Sequence, residues 1–546
     1  MPPKAMSFGS LWERRLVLKG LAAAPLWGCA HGGAREGAPV FDVTRFGARG
    51  DGQTDDTSAV AQALAACGRA GGGTVWVPAG TYRVGPLRLE SRTTLYLDAG
   101  ATLQGSTQVA DYPERIDPYR GDSSRAGLLT AFGAETIAIL GRGTLDGASL
   151  AFTTDDLSHK GSDHLPELTR QGSAFLSDVP FSDGPYRKGE NRPGNVLRLH
   201  DCRNVRIEGI TIQNSSTWNV RLSKCRDVVL RGLDVNSRAA GLKIPNDDGI
   251  DLQECESVRI SDCHIETGDD CVALFGSSGV TMTNCWLRTR STAVRVGYDG
   301  PAATRGCTFS NLVIDDANRG LGVFVRGAGD VEDVSFSDCV VHTRLMTGRW
   351  WGKGEPIHVS VVPWDEEATG LGRVRGVRFQ GIQARSPAGI VAWGDPQSEI
   401  ESLSFRDIEM HVRRDPLAAS YGGNFDLRLA KDPRLNLFAH EIPGLFARHV
   451  SRLSVDRFDL SWDDDVIDFY GPALVAERFG RVSVARLSGR AAHPARDAAL
   501  CFRDGHEVSV VDSRVQVAHG GFIEVTEVKT PLQLDRNQEV PFSPAS

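Results

Sequence analysis

Three aspartates on two neighbouring segments are the side chains of this sequence best suited to acid–base chemistry. Asp248 ends the run Asn246–Asp248, and Asp269 and Asp270 follow it 21 and 22 residues later. Carboxyl groups that lie close together raise one another's pKa, because each negative charge disfavours the next. One protonated and one ionised carboxyl group can protonate a leaving oxygen and activate a water molecule. The three residues therefore indicate hydrolysis of glycosidic bonds.

The repeat around these aspartates predicts the fold that positions them. Ile250, Val272 and Val294 are each 22 residues apart, in short runs that alternate apolar and polar residues. Alternation indicates strands, and a fixed period of this length is typical of a solenoid. We predict an all-β fold, a single-stranded right-handed parallel β-helix, over about residues 40–530. The aspartates then face one cleft from adjacent coils, at the roughly 6.5–9.5 Å expected of an inverting glycosidase.

The first motif also has a purely structural interpretation. Asp and Asn are common between strands because they tolerate tight turns. Two such motifs one coil apart favour the catalytic interpretation. Asp247 and Asp251 are rivals within the first motif, and Asp251 follows Ile250 in the predicted strand. We expect Asp251 to point outwards and to reach the cleft as a substrate-binding residue.

Three segments outside the repeat are expected to complete the fold. An open end of a β-solenoid must be covered, and the amphipathic pattern of Asp55–Cys67 predicts a helical cap there. Leu150–Pro193 and Arg413–Glu441 lack the repeat and are predicted to be long inserted loops that shape a binding cleft.

Composition narrows the partners and cofactors of the chain. The 546 residues carry a net charge of −8 without a long basic run, so we expect no nucleic-acid partner. The 11 cysteines mostly recur at equivalent positions of the repeat, which predicts a ladder of buried thiols, although Cys271 and Cys285 could pair. Zinc-type spacing is missing from the sequence, so we expect neither a metal nor another cofactor. A monomer is expected.

The N-terminus reads as an export signal. Arg14 and Arg15 precede a short apolar stretch in residues 1–29, which is too short to span a bilayer. Leu26–Cys29 resembles a bacterial lipobox, so Cys29 is the expected lipidation site; alternatively, Cys29 is incidental to an ordinary signal peptide. We expect a periplasmic, outer-membrane or cell-surface protein of a bacterium, in contact with a membrane only through that anchor.

Longer motifs carry a resemblance to a known family. The opening Phe41–Leu64 is similar to the first coil of the pectate-lyase-like β-helix superfamily, and Ile244–Leu252 and Thr267–Leu274 resemble glycoside hydrolase family 28, the polygalacturonases. The resemblance implies an inverting hydrolase of pectin-type polysaccharide, galacturonan or a related acidic glycan. It also implies that Asp269 is the general acid and that the other two aspartates of the trio activate water. Asn246 would orient the substrate or a neighbouring carboxylate.

The sequence departs from the family where the family binds its substrate. Thr292 replaces a histidine, and the Arg-Ile-Lys motif of the family is reduced to Arg326, with Arg319 as a second candidate. Arg295 lies between two valines and is expected to project into the cleft, where its guanidinium group would bind an acidic sugar. An ion pair with Asp270 or Asp299 is the alternative role for Arg295.

A tryptophan-rich loop supplies the remaining candidates for substrate binding. Trp350 and Trp351 are adjacent in a glycine-rich segment, and at least one is expected to be exposed and to stack on a sugar ring. A hydrophobic plug beneath the loop is the alternative. Glu355 is either a cleft carboxylate or the partner in a loop ion pair.

Two other functions fit the same fold. A polysaccharide lyase normally needs calcium or a strong Lys or Arg base, and the aspartate trio argues against it. A non-catalytic glycan-binding β-helix would bind glycans without turnover. Fold alone cannot separate these functions, because one scaffold hosts many of them.

Overall fold

The computed structural model describes residues 38–114, 125–157, 164–177, 180–189, 191–364 and 370–543. The expected signal segment, 1–29, and the expected lipidation site, Cys29, lie outside the described residues. Within the described part of the chain, no helix is both long enough and apolar enough to cross a bilayer.

The described strands form a parallel β-helix, as the repeat predicts. Thirty-eight of them belong to one sheet, in which each strand pairs with its equivalent on the next coil. Ile250 lies opposite Val272, and Val272 lies opposite Val294, so the 22-residue period is the length of one coil. Their side chains are fully buried in the core. The next residue of each strand points to the opposite, outer face. The strand structure continues to Pro541.

The strands fall into three ladders that run along the solenoid. The first ladder comprises Leu87–Arg88, Leu129–Phe132, Leu197–His200, Val220–Ser223, Ile250–Gln253, Val272–Phe275, Thr292–Tyr298, Arg319–Val325, Ile357–Val361, Ile390–Trp393, Leu445–Arg448 and Ile523–Val528, with the first parts of Leu474–Arg490 and Leu500–Val511. The second comprises Val40–Asp42, Gly73–Val77, Thr93–Leu97, Glu135–Gly141, Arg203–Glu208, Arg226–Arg231, Glu256–Ser261, Val374–Arg375 and Gln533–Asp535.

The third ladder runs beside the second and merges with it. It comprises Asp51–Asp55, Gly80–Val84, Ala101–Gly105, Thr144–Asp146, Thr211–Gln213, Asp234–Asn236, His264–Thr267, Arg514–Val517 and Gln538–Pro541. The long strands that serve both ladders are Ser278–Thr289, Thr304–Ala317, Val331–Thr343, Val377–Ser386, Leu403–Val412, Arg452–Trp462 and the later part of Leu474–Arg490.

Helices are short and few among the described residues. The longest, Thr57–Arg69, lies within two residues of the predicted cap and packs Ala63, Leu64 and Cys67 into the core. The other α-helix is Ala418–Tyr421. Short 3-10 turns lie at Val43–Phe46, Val109–Asp111, Ser149–Phe152, Pro166–Leu168, Gly172–Ala174, Arg238–Ala240 and Pro433–Leu435. The helical cap at the N-terminal end of the solenoid is therefore confirmed.

Both predicted insertions leave the solenoid and contact each other. The first contains the antiparallel pair Thr153–Leu157 and Tyr186–Lys188, and the second contains Asn424–Asp426 paired with Leu437–Ala439. The Arg170 backbone N–H donates to Asn424 Oδ1 at 2.8 Å, which joins the two insertions.

The insertions help to cover the outer face of the first ladder. Arg221, Asp251 and His358 alternate with core residues and point outwards, yet all three are buried. Backbone carbonyls of the second insertion, at Asp426 and Leu427, accept hydrogen bonds from the side chains of Arg319 and Arg326. The second insertion therefore lies over this face at these positions.

The core contains two kinds of stacked side chain. All ten cysteines in the described residues are buried free thiols, so the ladder of thiols is confirmed and the alternative pair Cys271–Cys285 is wrong. Phe309, Phe336, Phe379 and Phe405 stack on successive coils, with ring centroids 4.9, 4.9 and 5.4 Å apart. Each ring fills the space between its neighbours, so the coils support one another through the core.

Truncating the middle of the phenylalanine stack should destabilise the solenoid. Phe336→Ala removes a fully buried ring that contacts a ring on either side, and we expect a loss of about 3–5 kcal/mol in the free energy of unfolding. Chemical denaturation followed by circular dichroism measures it. Val313→Ala deletes apolar atoms at a position that is 40% exposed and should change the midpoint little. Equal midpoints for both variants would contradict the role of the stack.

Candidate active site

The structure brings the three predicted catalytic aspartates together. Asp248 precedes the first-ladder strand Ile250–Gln253, and Asp269 and Asp270 precede the strand Val272–Phe275 on the next coil. Because these strands pair in register, the turns before them lie side by side. One carboxylate oxygen from each aspartate lies within 4.8 Å of the others. This is a nearest-atom spacing, and it is shorter than the roughly 6.5–9.5 Å expected between the carboxyl groups of an inverting pair.

The three aspartates differ in how far they are exposed. Asp248 and Asp270 are each only 3% exposed, whereas Asp269 is half-buried. Asp269 is therefore the member of the trio that an entering substrate reaches first.

Burial and mutual repulsion keep protons on the cluster. Burial raises the pKa of Asp269 to about 6, and the negative charge of Asp270 adds to the shift. Burial also raises the pKa of Asp248 well above its ordinary value, with Asp251 and Asp269 adding repulsion. Asp248 Oδ1 is buried and has no hydrogen-bond partner among the described residues. Burial and repulsion therefore favour the protonated forms of Asp248 and Asp269.

Arg295 supplies positive charge inside the cluster. Its Nε lies 2.7 Å from Asp270 Oδ2, and a terminal nitrogen lies 3.6 Å from Asp248 Oδ2. The other oxygen of Asp270 accepts hydrogen bonds from Ser291 Oγ and the Thr292 backbone N–H, both at 3.0 Å. Of the two roles left open by the sequence, the structure shows the ion pair with Asp270. Asp270 is thus held in place by one arginine and two hydrogen-bond donors.

Two aromatic rings hold the Arg295 guanidinium in place. Its central carbon lies 4.7 Å from the ring centroid of Phe275 and 4.6 Å from that of Tyr298. Cation–π contacts of this length favour the charged group and restrict its rotation. Arg295 is therefore fixed between the carboxylates before any substrate binds.

The same three carboxylates bear on metal binding. Among the described residues, they are the one group of acidic, histidine or cysteine side chains close enough to share an ion. Arg295 already places a positive charge 2.7 Å from one of them, so a second cation in the cluster would be repelled. The donor set thus fits acid–base chemistry better than a metal site.

The rest of the first motif positions the trio. The fully buried Asp247 accepts hydrogen bonds from the backbone N–H groups of Gly268 and Asp269, at 2.7 and 3.0 Å, and so ties the two coils together. Asn246 donates its backbone N–H to Asp269 Oδ2 at 3.1 Å and contacts Lys188 of the first insertion through its side chain. Asp247 is therefore a positioning residue rather than a rival acid.

Asp251 does not open onto the cleft as expected. It points outwards from its strand but is fully buried, opposite Arg221 on the preceding coil. Arg221 was not among the predicted site residues, although its place between Val220 and Leu222 marks it as outward-facing. Asp251 acts on the site through its charge, which raises the pKa of Asp248.

Two other predicted substrate-binding residues are enclosed by protein. Arg326 is fully buried and donates to the backbone carbonyls of Val362 and Leu427, at 3.4 and 3.2 Å. Glu355 is 1% exposed and forms an ion pair with Arg319 at 3.3 Å, the loop ion pair that the sequence left as an alternative. The structure therefore contradicts an open substrate-binding position for both.

The two adjacent tryptophans have different roles. Trp350 is 4% exposed and its indole N–H donates to the Asp183 carbonyl of the first insertion, so it is a plug beneath the loop. Trp351 is half-buried, and its ring stacks on Tyr298 with centroids 6.1 Å apart and planes at 23°. Trp351 is the member of the pair that reaches the aspartate cluster, by way of Tyr298.

Comparison with known proteins places the chain beside one family. The family model for glycosyl hydrolases family 28 matches residues 67–342, about half of the chain. A probable polygalacturonase of Vitis vinifera is 33% identical over 234 residues, which cover 42% of this chain and 43% of the relative. An exo-poly-alpha-D-galacturonosidase of Dickeya chrysanthemi is 28% identical over 280 residues, which cover 45% of each. The chain thus spans about half the length of the curated relatives it matches.

Solved structures share the fold at low sequence identity. An exopolygalacturonase from Thermotoga maritima superposes with a TM-score of 0.53 at 22% identity, covering 68% of this chain and 87% of that one. A polygalacturonase from Erwinia carotovora gives 0.51 at 17% identity, covering 69% and 94%. These likenesses show the β-helix alone.

Proposed function

The chain belongs to glycosyl hydrolases family 28, and on that premise we propose that it hydrolyses a pectin-type polysaccharide, galacturonan or a related acidic glycan. The observation that carries the proposal is the close approach of Asp248, Asp269 and Asp270, whose oxygens lie within 4.8 Å of one another on the outer face of the first ladder. The half-buried member of this cluster has a pKa raised to about 6, as a general acid requires.

The proposed reaction is a single displacement at the anomeric carbon. Asp269 gives its proton to the glycosidic oxygen as the bond between that oxygen and the anomeric carbon breaks. A water molecule attacks the same carbon from the opposite face and passes a proton to Asp270 or Asp248. Arg295 contacts both carboxylates, and its positive charge lowers the pKa of Asp248. The product would carry the inverted anomeric configuration.

Hydrolysis is tested by product chemistry. Purified protein and its Asp269→Asn variant are incubated with galacturonan, methyl-esterified galacturonan and neutral glycans, and reducing ends and ultraviolet absorbance are recorded together. New reducing ends without absorbance, lost in the variant, are expected of a hydrolase. Absorbance would show the double bond left by a lyase. Glycan binding without products would indicate a binding protein.

The stereochemistry is read from the first-formed product by proton NMR. Inversion is expected. The short spacing of the carboxylates is also compatible with direct attack of a carboxylate on the sugar, because retaining enzymes hold their two carboxyl groups about 5–5.5 Å apart. Retention would therefore overturn the single displacement and make Asp248 or Asp270 a nucleophile.

Activity should fall as pH rises above about 6. Asp269 has a pKa raised to about 6 and must carry its proton to assist the leaving group, so its loss of that proton lowers kcat/KM. In acid, protonation of the group that activates water lowers kcat/KM again. A pH profile of kcat/KM at constant ionic strength measures both limbs. A rate that rises steadily from pH 6 to pH 9 would contradict an acid at Asp269.

We also propose export, with acylation of Cys29. This proposal is supported by the twin arginines and the lipobox-like run of the sequence. Incorporation of labelled fatty acid into the protein in its host, abolished by Cys29→Ser, tests it. Secretion of an unlabelled protein would leave an ordinary signal peptide.

A further inference from the structure

We propose that Tyr298, Trp351 and Trp364 form an aromatic subsite beside the aspartate cluster, on which the apolar face of one pyranose unit of the substrate rests. The inference rests on the proposed function and deepens it, because it assigns a place for a sugar unit next to the bond that is cleaved. Trp364 was not among the residues indicated by the sequence.

The aromatic subsite is connected to the catalytic cluster through one side chain. The Tyr298 ring centroid lies 4.6 Å from the guanidinium carbon of Arg295, whose Nε is 2.7 Å from Asp270. Trp351 stacks on Tyr298 at 6.1 Å, and Trp364 meets the same ring edge-on at 5.9 Å and 76°. A sugar resting on these rings would therefore be a neighbour of the sugar held at the aspartates.

The exposure of the rings argues for a ligand. Trp364 is 37% exposed and Trp351 is half-buried, although both rings contact Tyr298. Apolar surface left in water forgoes about 25 cal/mol per Å² of stabilisation, which a ligand that covers these rings would recover. An aromatic ring presents a flat apolar face, which matches the flat C–H face of a pyranose.

The subsite should recognise the sugar ring rather than its charge. Arg295 is the charged group nearest to the three rings in the contacts above, and two carboxylates already engage it. Stacking depends on the C–H face, which a free acid and its methyl ester share. The subsite is therefore expected to bind a pyranose unit whether or not it carries a free carboxylate.

Oligosaccharide binding to an inactive parent tests the subsite. In full-length Asp269→Asn protein, the Kd for galacturonan oligomers of increasing length is measured by titration calorimetry, for free acids and for methyl esters. Trp351→Ala and Trp364→Ala are each expected to weaken binding of the longer oligomers roughly three- to tenfold. The loss should be equal for acids and esters and absent for the shortest oligomer. Trp351→Phe should restore most of the affinity.

A tryptophan elsewhere provides the matched control. Trp286 is also half-buried, but it packs on His264 with ring centroids 4.4 Å apart, on the merged second and third ladders. Trp286→Ala should leave the Kd unchanged at every length.

The outcomes separate the subsite from the proposed function. Unchanged affinity in folded Trp351→Ala and Trp364→Ala proteins would overturn the subsite while the parent still binds. A loss confined to the free acids would replace stacking by charge recognition and overturn it as well. If wild-type protein neither cleaves nor binds any pectic glycan, the proposed function itself fails. Circular dichroism identifies a variant that does not fold. If Trp351→Ala does not fold, the Kd of the Trp364→Ala protein tests the subsite, because Trp364 is the more exposed ring.

Discussion

Replacing Asp269 with Asn should lower kcat on a natural pectic oligosaccharide by about a hundred- to ten-thousandfold. The amide cannot give a proton to the leaving oxygen, and general acid catalysis is worth this much. Asp269 accepts two backbone N–H groups, from Asn246 and Asp270, at 3.1 Å each, and the amide oxygen retains one of these bonds. The fold should therefore persist, which thermal unfolding checks.

The leaving group distinguishes an acid from a residue that only shapes the site. An aryl glycoside with a good leaving group needs little protonation, so the Asp269→Asn variant should lose far less activity on it than on the natural substrate. Asp270→Asn should lose activity on both, because water activation is still required. Asp262→Asn is the control, since Asp262 is an exposed turn aspartate that pairs with Arg231. Equal losses of Asp269→Asn on both substrates would contradict the acid role.

Replacing Arg295 with Met should shift the whole pH profile of kcat/KM towards higher pH. Arg295 lowers the pKa of both Asp248 and Asp269, so its removal raises both values. The water-activating carboxylate is then ionised only at higher pH, and the acid keeps its proton to higher pH. An opposite charge at this distance shifts a pKa by about 1–3 units, which sets the expected size. Removing one partner of a buried ion pair should also cost about 3–5 kcal/mol of stability.

Two further variants keep the Arg295 prediction decisive. Arg295→Lys retains the charge but not the second nitrogen that spans the carboxylates, so a smaller shift of the pH profile is expected. This variant replaces Arg295→Met in the test if the Met variant does not fold. Arg288→Met removes an arginine on an adjacent ladder that pairs with Asp315 at 2.6 Å in a more exposed setting. That control should keep the wild-type profile. A folded Met variant with an unchanged profile would show that Arg295 does not tune the cluster.

The repeat made the fold and the centre of the site predictable. Periodicity is a local property of the chain, and residues one period apart must lie on adjacent coils once the strands pair in register. Asp248 and Asp269 therefore met as predicted, and the alternation around Arg295 correctly placed its side chain on the outer face. The helical cap followed from the same reasoning, because an open sheet end requires cover.

The predictions that placed buried residues in the open cleft were wrong for a different physical reason. Alternation tells which side chains leave the core, but it does not tell which of them are then covered. Arg326 is enclosed by the carbonyl of Leu427, 101 residues further along the chain, and Trp350 by that of Asp183, 167 residues earlier. Contacts between irregular insertions have no period, so the sequence pattern carries no signal for them.

The bond between Arg170 and Asn424 has a consequence for how the molecule folds. In a solenoid each coil contacts only its neighbours, so most of its contacts are local in the sequence. This hydrogen bond instead joins residues 254 positions apart, on two insertions that leave the solenoid at distant points of the chain. Loop closure over such a distance is slow and comes late. A chain in which the coils around the three aspartates have formed would still lack the contact between the two insertions. We therefore expect catalytic activity to appear only after that contact has formed.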